Sequence, residues 1–242
     1  MRTKLWILFP AMAGVALVAL FLGIESSVMA GPDAEKISLP EPRIDGAVSV
    51  EKALHDRRSV REYKDEPLSL RDVSQLLWAA QGMTGKSVRT SPSAGALYPL
   101  EVYVVAGKVN GLAPGVYKYQ PGDHSLTKVR DGDRRDELYS AGIGQQPVKA
   151  APVDLVIAGV YERATGKYSS EDRDKPTGSV YPRGVKYAHF EAGHAAQNIY
   201  LQAESSGLGT VAIGAFSDDA VKQALGMAED ERPLYIMPVG KV

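Results

Sequence analysis

Arg57-Arg58-Ser59-Val60-Arg61 gathers three guanidiniums and a hydroxyl within five residues. Arginine presents a planar fork of donors that matches phosphate oxygens, so the stretch is suited to a phosphorylated ligand. It would equally serve as the solvated basic end of a helix. A second stretch, Ser91-Pro92-Ser93-Ala94-Gly95-Ala96-Leu97-Tyr98-Pro99, mixes small residues with prolines. Such a loop is stiff, and its backbone can lie close against a flat ligand or simply lead into a strand. A third stretch, Gly207-Leu208-Gly209-Thr210 running on to Ile213-Gly214, can stop a helix or let backbone groups reach a ring system.

Other chemistries find less support. His189 and His194 flank Glu191, but the spacing is not HExxH and no third ligand group is evident, so no metal is expected. The absence of cysteine removes disulfides, thiolate zinc sites, cysteine nucleophiles and a lipoprotein anchor. No GxGxxG follows a strand, so a Rossmann site for bound NAD is not indicated. A formal net charge of -1, with no basic stripe interleaved with aromatics, argues against nucleic acid as a partner. His55 and His124 read as surface residues and Trp78 as core. Glu162 to Lys175 reads as a solvated loop or as a lid over a site.

The elements that must position these residues follow from periodicity. A short helix is expected from Ser49, burying Val50, Ala53 and Leu54. Ser69-Leu70-Arg71-Asp72 has the form of a capping box with Asp in place of Glu. The helix behind it turns Leu70, Val73, Leu76, Leu77 and Ala80 inward and ends at Gly82. Glu101 to Ala106 and Gly115 to Gln120 read as strands, the latter followed by a Pro-Gly turn. Val153 to Val160 is nearly all apolar and β-branched, as a central strand would be. A helix over 187–206 carries Ala192, Ala195, Ala196, Ile199 and Ala203 on one face and closes at Gly207. Val211-Ala212-Ile213 begins a strand, Ser217 caps a short helix ending at Gly226, and Leu234 to Val239 is the last strand. Strands and helices mingle without a strict βαβ rhythm, which makes the fold class α+β.

The N-terminus is unlike the rest. Arg2 and Lys4 precede an uncharged run from Leu5 to Ile24, about the length that crosses a bilayer as a helix. Val28-Met29-Ala30 places small residues where a signal peptidase would cut. Residues 1–30 are therefore a cleaved signal peptide or an uncleaved membrane anchor. Either puts the folded part outside the cytoplasm, periplasmic or facing outward from a membrane. Residues 31–47, with three prolines, read as a linker, and 48–242 as the folded domain. With 24% charged and 44% hydrophobic residues overall, that remainder suits one globular domain.

Taken together and in order, five blocks resemble the SagB-type dehydrogenases, a branch of the nitroreductase superfamily. They are RRSVREY (57–63), SPSAGALYPLEVYVV (91–105), PGVYKYQPGDHSL (114–126), EAGHAAQNIYLQAESSGLGTVAIGAF (191–216) and PLYIMPVGK (233–241). The resemblance spans about His55 to Lys241. It implies an FMN-binding nitroreductase-like fold, a central mixed β-sheet flanked by helices, built as an intertwined homodimer with two flavin sites at the interface. By matching positions, Arg57, Arg58, Ser59 and Arg61 would hold the FMN phosphate and ribityl chain, with Lys241 also reaching the phosphate. Pro92, Ser93, Ala94 and Gly95 would come from the partner subunit to cover the flavin. Gly209, Ile213 and Gly214 would line the isoalloxazine edge, and the small-residue helix from Ala192 would pack across the dimer axis.

The implied activity is two-electron hydride transfer through flavin N5 on a small organic substrate. The flavin performs the chemistry and the protein positions it. No residue is obligatory as acid or base. Lys186-Tyr187 is the candidate pair, but it stands where the family usually has Arg-Tyr, so azoline oxidation is not expected. The substrate would be a nitro compound, a quinone, an unsaturated molecule, or one dehydrogenated with oxygen as acceptor. Outside the cytoplasm nicotinamide is scarce, so the donor would be a membrane quinol or a protein. The alternatives are a flavin carrier without turnover and a membrane-tethered module that has lost flavin.

Overall fold

A computed structural model of the chain describes residues 35–169 and 182–242. The apolar run 5–24, the cleavage-site residues 28–30 and part of the 162–175 segment lie outside them. Among the described residues no helix is long and apolar enough to cross a membrane.

In chain order the elements begin with β1 (Lys36–Ser38), α1 (Val50–Asp56), β2 (Leu68–Ser69), α2 (Leu70–Gln81), β3 (Met83–Gly85) and β4 (Val88–Arg89). They continue with β5 (Leu100–Ala106), β6 (Val109–Asn110), β7 (Gly115–Gln120), β8 (Ser125–Asp131), α3 (Arg135–Ala141) and α4 (Gln146–Ala150). The last are β9 (Val153–Val160), α5 (Tyr161–Thr165), α6 (Arg183–Ser205), β10 (Leu208–Thr210), α7 (Asp218–Leu225) and β11 (Glu231–Lys241).

A seven-stranded sheet runs in the order β1-β8-β7-β5-β9-β11-β10. All six of its ladders are antiparallel, where the resemblance implied a mixed sheet. The α+β class holds. Apolar but for Asp154, β9 sits between β5 and β11 and is buried along its whole length. Alternation along β5 divides the core: Leu100, Val102 and Val104 join the side holding residues of α2 and α6, while Tyr103 and Val105 join the side holding α3 and α7.

Local chemistry explains the helix starts. Ser69 and Asp72 form the expected capping box, with the Ser69 hydroxyl accepting from the Asp72 N–H at 3.2 Å and the Asp72 carboxylate accepting from the Ser69 N–H at 3.0 Å. Ser49 caps α1, accepting from the Lys52 N–H at 3.2 Å.

Several expectations are corrected. Only Ala53 of the α1 trio is buried; Val50 is 64% exposed and Leu54 53%, because α1 is short and touches α6 along one line. Residues 36–38, read as linker, pair with β8, and Leu39 is buried behind them. The small-residue face of α6 is buried in this chain's own core, against the side formed by α2 and the sheet. Close approach of α2 and α6 within one chain thus accounts for it. The strand sought at 211–213 is instead Leu208–Thr210, and Ile213 makes a single bridge to Ile236. Part of the segment read as a solvated loop is helical, as α5. His124 is not a surface residue: it closes the β7–β8 turn, with Nδ1 2.8 Å from the Tyr119 hydroxyl and Nε2 2.8 Å from the Ser74 hydroxyl. Burial lowers its pKa.

Candidate functional site

Beyond α1 the chain runs along the edge formed by β10 and the end of β11. Ser59 pairs with Thr210 as an isolated parallel bridge, the Val60 N–H donates to the Thr210 carbonyl at 2.9 Å, and the Lys64 N–H donates to the Lys241 carbonyl at 3.0 Å. Two glycines permit this closeness. A Cβ on Gly209 would lie 2.7 Å from Val60 Cβ, and one on Gly240 would lie 2.7 Å from Tyr63 Cβ. Gly209 is therefore buried under Val60 and Val242, and its lack of a side chain serves the approach of the 59–63 segment. By this route RRSVREY, GLGT and PLYIMPVGK meet at one edge.

Tyr200, which sequence reading missed, organises that edge from α6. Its hydroxyl lies 3.0 Å from Ser59 Oγ and accepts from the Ala212 N–H at 2.8 Å. The Arg57 guanidinium lies 5.0 Å over its ring. Arg57 Nε and Thr210 Oγ1 are buried and have no hydrogen-bond partner. An unsatisfied buried donor is costly unless something completes it, so the pair marks a place for a ligand with acceptor oxygens. The other cations are placed differently. Arg61 is exposed, with only a 3.4 Å contact to the Ser59 carbonyl, and Lys241 pairs with Glu66 at 2.8 Å. Arg58 curls back to the last carbonyls of α1, donating to His55, Asp56 and Arg57 at 2.9–3.1 Å.

Past Thr210 the chain presents Ile213 and Gly214. Ile213 and Ile236 exchange two N–H to carbonyl bonds, both 2.9 Å. Gly214 is exposed, and a Cβ there would meet nothing nearer than Tyr235 at 4.0 Å. It opens on a cavity of about 270 Å³, bordered by Tyr235, Phe216, Asp218, Tyr161 and His189.

The Pro92–Gly95 loop leads into strained backbone. Ala96 and Tyr98, just past it, have positive φ at 54° and 45°, while Gly95 takes the same region at 64° without cost. Ser93 Oγ accepts from the Tyr98 N–H at 2.8 Å, and Glu191 of α6 accepts from the Ala94 N–H at 2.9 Å. Burial raises the Glu191 pKa, with the Ala94 and Ser93 hydrogen bonds acting against it. Lys167 and Tyr168 crowd Gly95, since a Cβ there would lie 2.9 Å from Lys167 Nζ and 2.8 Å from Tyr168 Oη. Glu191 and Tyr200 stand nine residues apart on α6, about 13 Å along its axis. One chain therefore separates the loop from the arginine edge along α6.

The remaining candidates diverge. His189 bonds the Tyr161 hydroxyl at 2.7 Å while Glu191 turns to the loop, so these two do not converge on one point. Lys186 Nζ lies 5.8 Å over the Phe190 ring, and Tyr187 meets Tyr168 edge to face at 5.0 Å. Both belong to the first turns of α6, near the loop and away from Arg57. Trp78 is half-buried, donating from Nε1 to the Met83 carbonyl at 3.3 Å.

Comparison with known proteins gives these shapes a context. Residues 54–241 match the nitroreductase family. A provisionally named nitroreductase of Methanocaldococcus jannaschii is 43% identical over 210 residues, covering 86% of this chain and 98% of that protein. An NAD(P)H-dependent FMN reductase of Bacillus subtilis is 27% identical over 78% of this chain and 61% of its own length. The microcin B17-processing protein of Escherichia coli is 28% identical over 72% of this chain and 63% of its own. Among solved structures, a provisionally named nitroreductase of Ralstonia eutropha superposes with a TM-score of 0.67 at 30% identity, covering 88% of this chain and 91% of that one. A chain of the same description from Anabaena variabilis gives 0.72 at 30% identity, covering 87% of this chain but 42% of that one.

Proposed function

We propose that this chain, which belongs to the nitroreductase family, is an FMN-dependent oxidoreductase of the SagB-type branch that moves two electrons between flavin N5 and a small organic substrate. One observation carries the cofactor reading: the partnerless buried Arg57 Nε and Thr210 Oγ1, beside the Ser59–Tyr200 hydroxyl pair, fit a phosphate. The flavin reductase of Bacillus subtilis among the relatives supports the same choice. Bound FMN would supply the hydride chemistry.

The chain's own groups do the holding. Arg57, Ser59 and Arg61 take the phosphate and ribityl chain, and Lys241 joins them by leaving Glu66. Arg58 reaches the ligand only by releasing the α1 carbonyls, so its first service is to end that helix. Ile213 and Gly214 lie along the isoalloxazine edge. Gly209 supports them from beneath by admitting the 59–63 segment. Backbone donors and cations near the ring would stabilise the negative charge of the reduced state.

Two copies complete the site. Pro92 to Gly95 of one chain covers the flavin held by the arginine edge of the other, consistent with the separation of loop and edge along α6. The exposed Val50 and Leu54 of α1 and Phe190 of α6 are apolar surface for that contact. The uncharged run 5–24 supports a position outside the cytoplasm, where a quinol or a protein would be the electron donor. Substrates are small nitro, quinone or unsaturated compounds; Lys186 and Tyr187 are secondary catalytic candidates.

The test is FMN titration of Arg57→Ala/Arg61→Ala against wild type. Two charge-assisted contacts of about 1.5–3 kcal/mol each predict at least a 100-fold loss of affinity. Equal affinity in variant and wild type would end the phosphate assignment.

A further inference from the structure

The cavity beside Gly214 has a composition of its own. At about 270 Å³ it exceeds the roughly 150 Å³ that holds one benzene ring. Phe216, Tyr235, Pro233 and Leu234 give it aromatic and apolar walls. Its remaining polar side chains are Tyr161, His189 and Asp218. Tyr161 Oη and His189 Nε2 are 2.7 Å apart, with the rings edge to face at 5.4 Å.

The surroundings keep Tyr161 protonated and set a group beside it that can replace a lost proton. Arg232 of β11 lies 5.0 Å over its ring and is itself paired with Glu162 at 2.8 Å. Burial raises the phenol's pKa, with Arg232 opposing and Asp218 and Glu162 adding to the rise, so the hydroxyl keeps its proton at neutral pH. His189 is exposed on α6 and can exchange protons with solvent. A ring acceptor that took up hydride alone would become an anion beside the Asp218 carboxylate. A proton must arrive with the hydride.

We propose that this cavity binds single-ring electron acceptors and that Tyr161, relayed by His189, delivers the proton that accompanies their reduction. The inference rests on the flavoenzyme reading above, which supplies the hydride. For a quinone the balance is complete. Two electrons and one hydrogen arrive as hydride from the reduced cofactor and end as an O–H bond at one ring oxygen, while the Tyr161 O–H bond breaks and its proton forms the O–H bond at the other. His189 then returns a proton to the phenolate and is refilled from water, leaving a hydroquinone and the oxidised cofactor.

Two measurements on the full chain test this. The first is calorimetric titration with phenol in the absence of flavin. Wild type binds phenol, and Leu234→Trp, which fills the cavity, abolishes binding. His189→Trp closes the same space from the exposed side of α6 should Leu234→Trp disturb β11. The second is steady-state reduction of 2,6-dimethyl-1,4-benzoquinone by the FMN-loaded enzyme. Tyr161→Phe lowers kcat at least about 100-fold with KM little changed. His189→Gln lowers kcat by less, and the double variant is no slower than Tyr161→Phe because the two act as one unit. Phenol binding that survives both tryptophan variants overturns the cavity assignment. An unchanged kcat in Tyr161→Phe overturns the proton role. A chain that takes up no FMN removes the hydride source and overturns the reduction step, a failure visible in the spectrum and distinct from the other two.

Discussion

Tyr200→Phe removes one oxygen from the centre of the proposed cofactor edge and leaves the ring in place. The cation–π contact with Arg57 and the shape of α6 are therefore kept, and the change isolates the hydroxyl. That oxygen makes two hydrogen bonds, at 3.0 Å to Ser59 Oγ and at 2.8 Å from the Ala212 N–H. Each is worth about 0.5–1.5 kcal/mol net, and a part-buried N–H left without an acceptor adds about 1–3 kcal/mol. Ser59 can turn to water, whereas the Ala212 amide is fixed by the chain leading to the Ile213–Ile236 bridge. The expected destabilisation is about 2–3 kcal/mol, a fall of about 5–10 °C in Tm for a domain of this size. Urea unfolding measures it as a lower midpoint with unchanged slope. FMN affinity falls about tenfold in the same variant, since 1.4 kcal/mol of lost positioning corresponds to that factor. A change below about 0.5 kcal/mol in stability, with FMN affinity intact, would refute the view that this hydroxyl ties Ser59 to the 212–214 segment.

Three further outcomes are expected. Asp154 is fully buried in β9 with neither oxygen hydrogen-bonded; burial raises its pKa well above 3.8, Arg135 opposing and Asp133 adding to it. The folded state thus holds a proton that the unfolded state releases, so stability falls as pH rises above 3.8, by at most about 1.4 kcal/mol per pH unit. Asp154→Asn should match wild type near pH 4 and be the more stable protein at pH 8, as read from urea midpoints at both. Ser69→Ala deletes the α2 capping box and should cost about 1 kcal/mol, lowering Tm by about 2–4 °C in calorimetry. Gly209→Ala would place a Cβ 2.5 Å from Val242 Cγ1 and should cost about 1–3 kcal/mol, whereas Gly193→Ala, with nothing within 4 Å, should be neutral or stabilising by chemical denaturation.

Short-range signals carried much of the fold. The Ser69–Asp72 box, the inward face of α2, and β5, β7 and β9 all depend on a period or a cap that neighbouring residues declare. Contacts between distant segments were silent. Lys36–Ser38 has no strong strand pattern and is a strand because β8 offers its edge. The GLGT glycines read as a helix stop or as a close approach to a ring system. They form β10, because Gly209 and Gly240 must both be bare for the 59–63 segment to lie on the sheet edge. The arginine cluster was legible from residue type alone. Tyr200, Glu191 and Tyr161 were not, since each acts on a partner on another element: Ser59 for Tyr200, the Ala94 loop for Glu191, and His189 for Tyr161. The exposure of Val50 and Leu54 also escaped the sequence, where an apolar residue on a short helix looks the same whether it faces a core or a second chain.

The most direct measurement is the visible absorbance spectrum of the chain purified without added flavin, followed through anaerobic reduction and addition of a nitro or quinone acceptor. The account predicts the two-banded spectrum of an oxidised flavin, bleached by a reductant and restored by the acceptor, with FMN released on denaturation. A colourless chain that also fails to take up added FMN would contradict it.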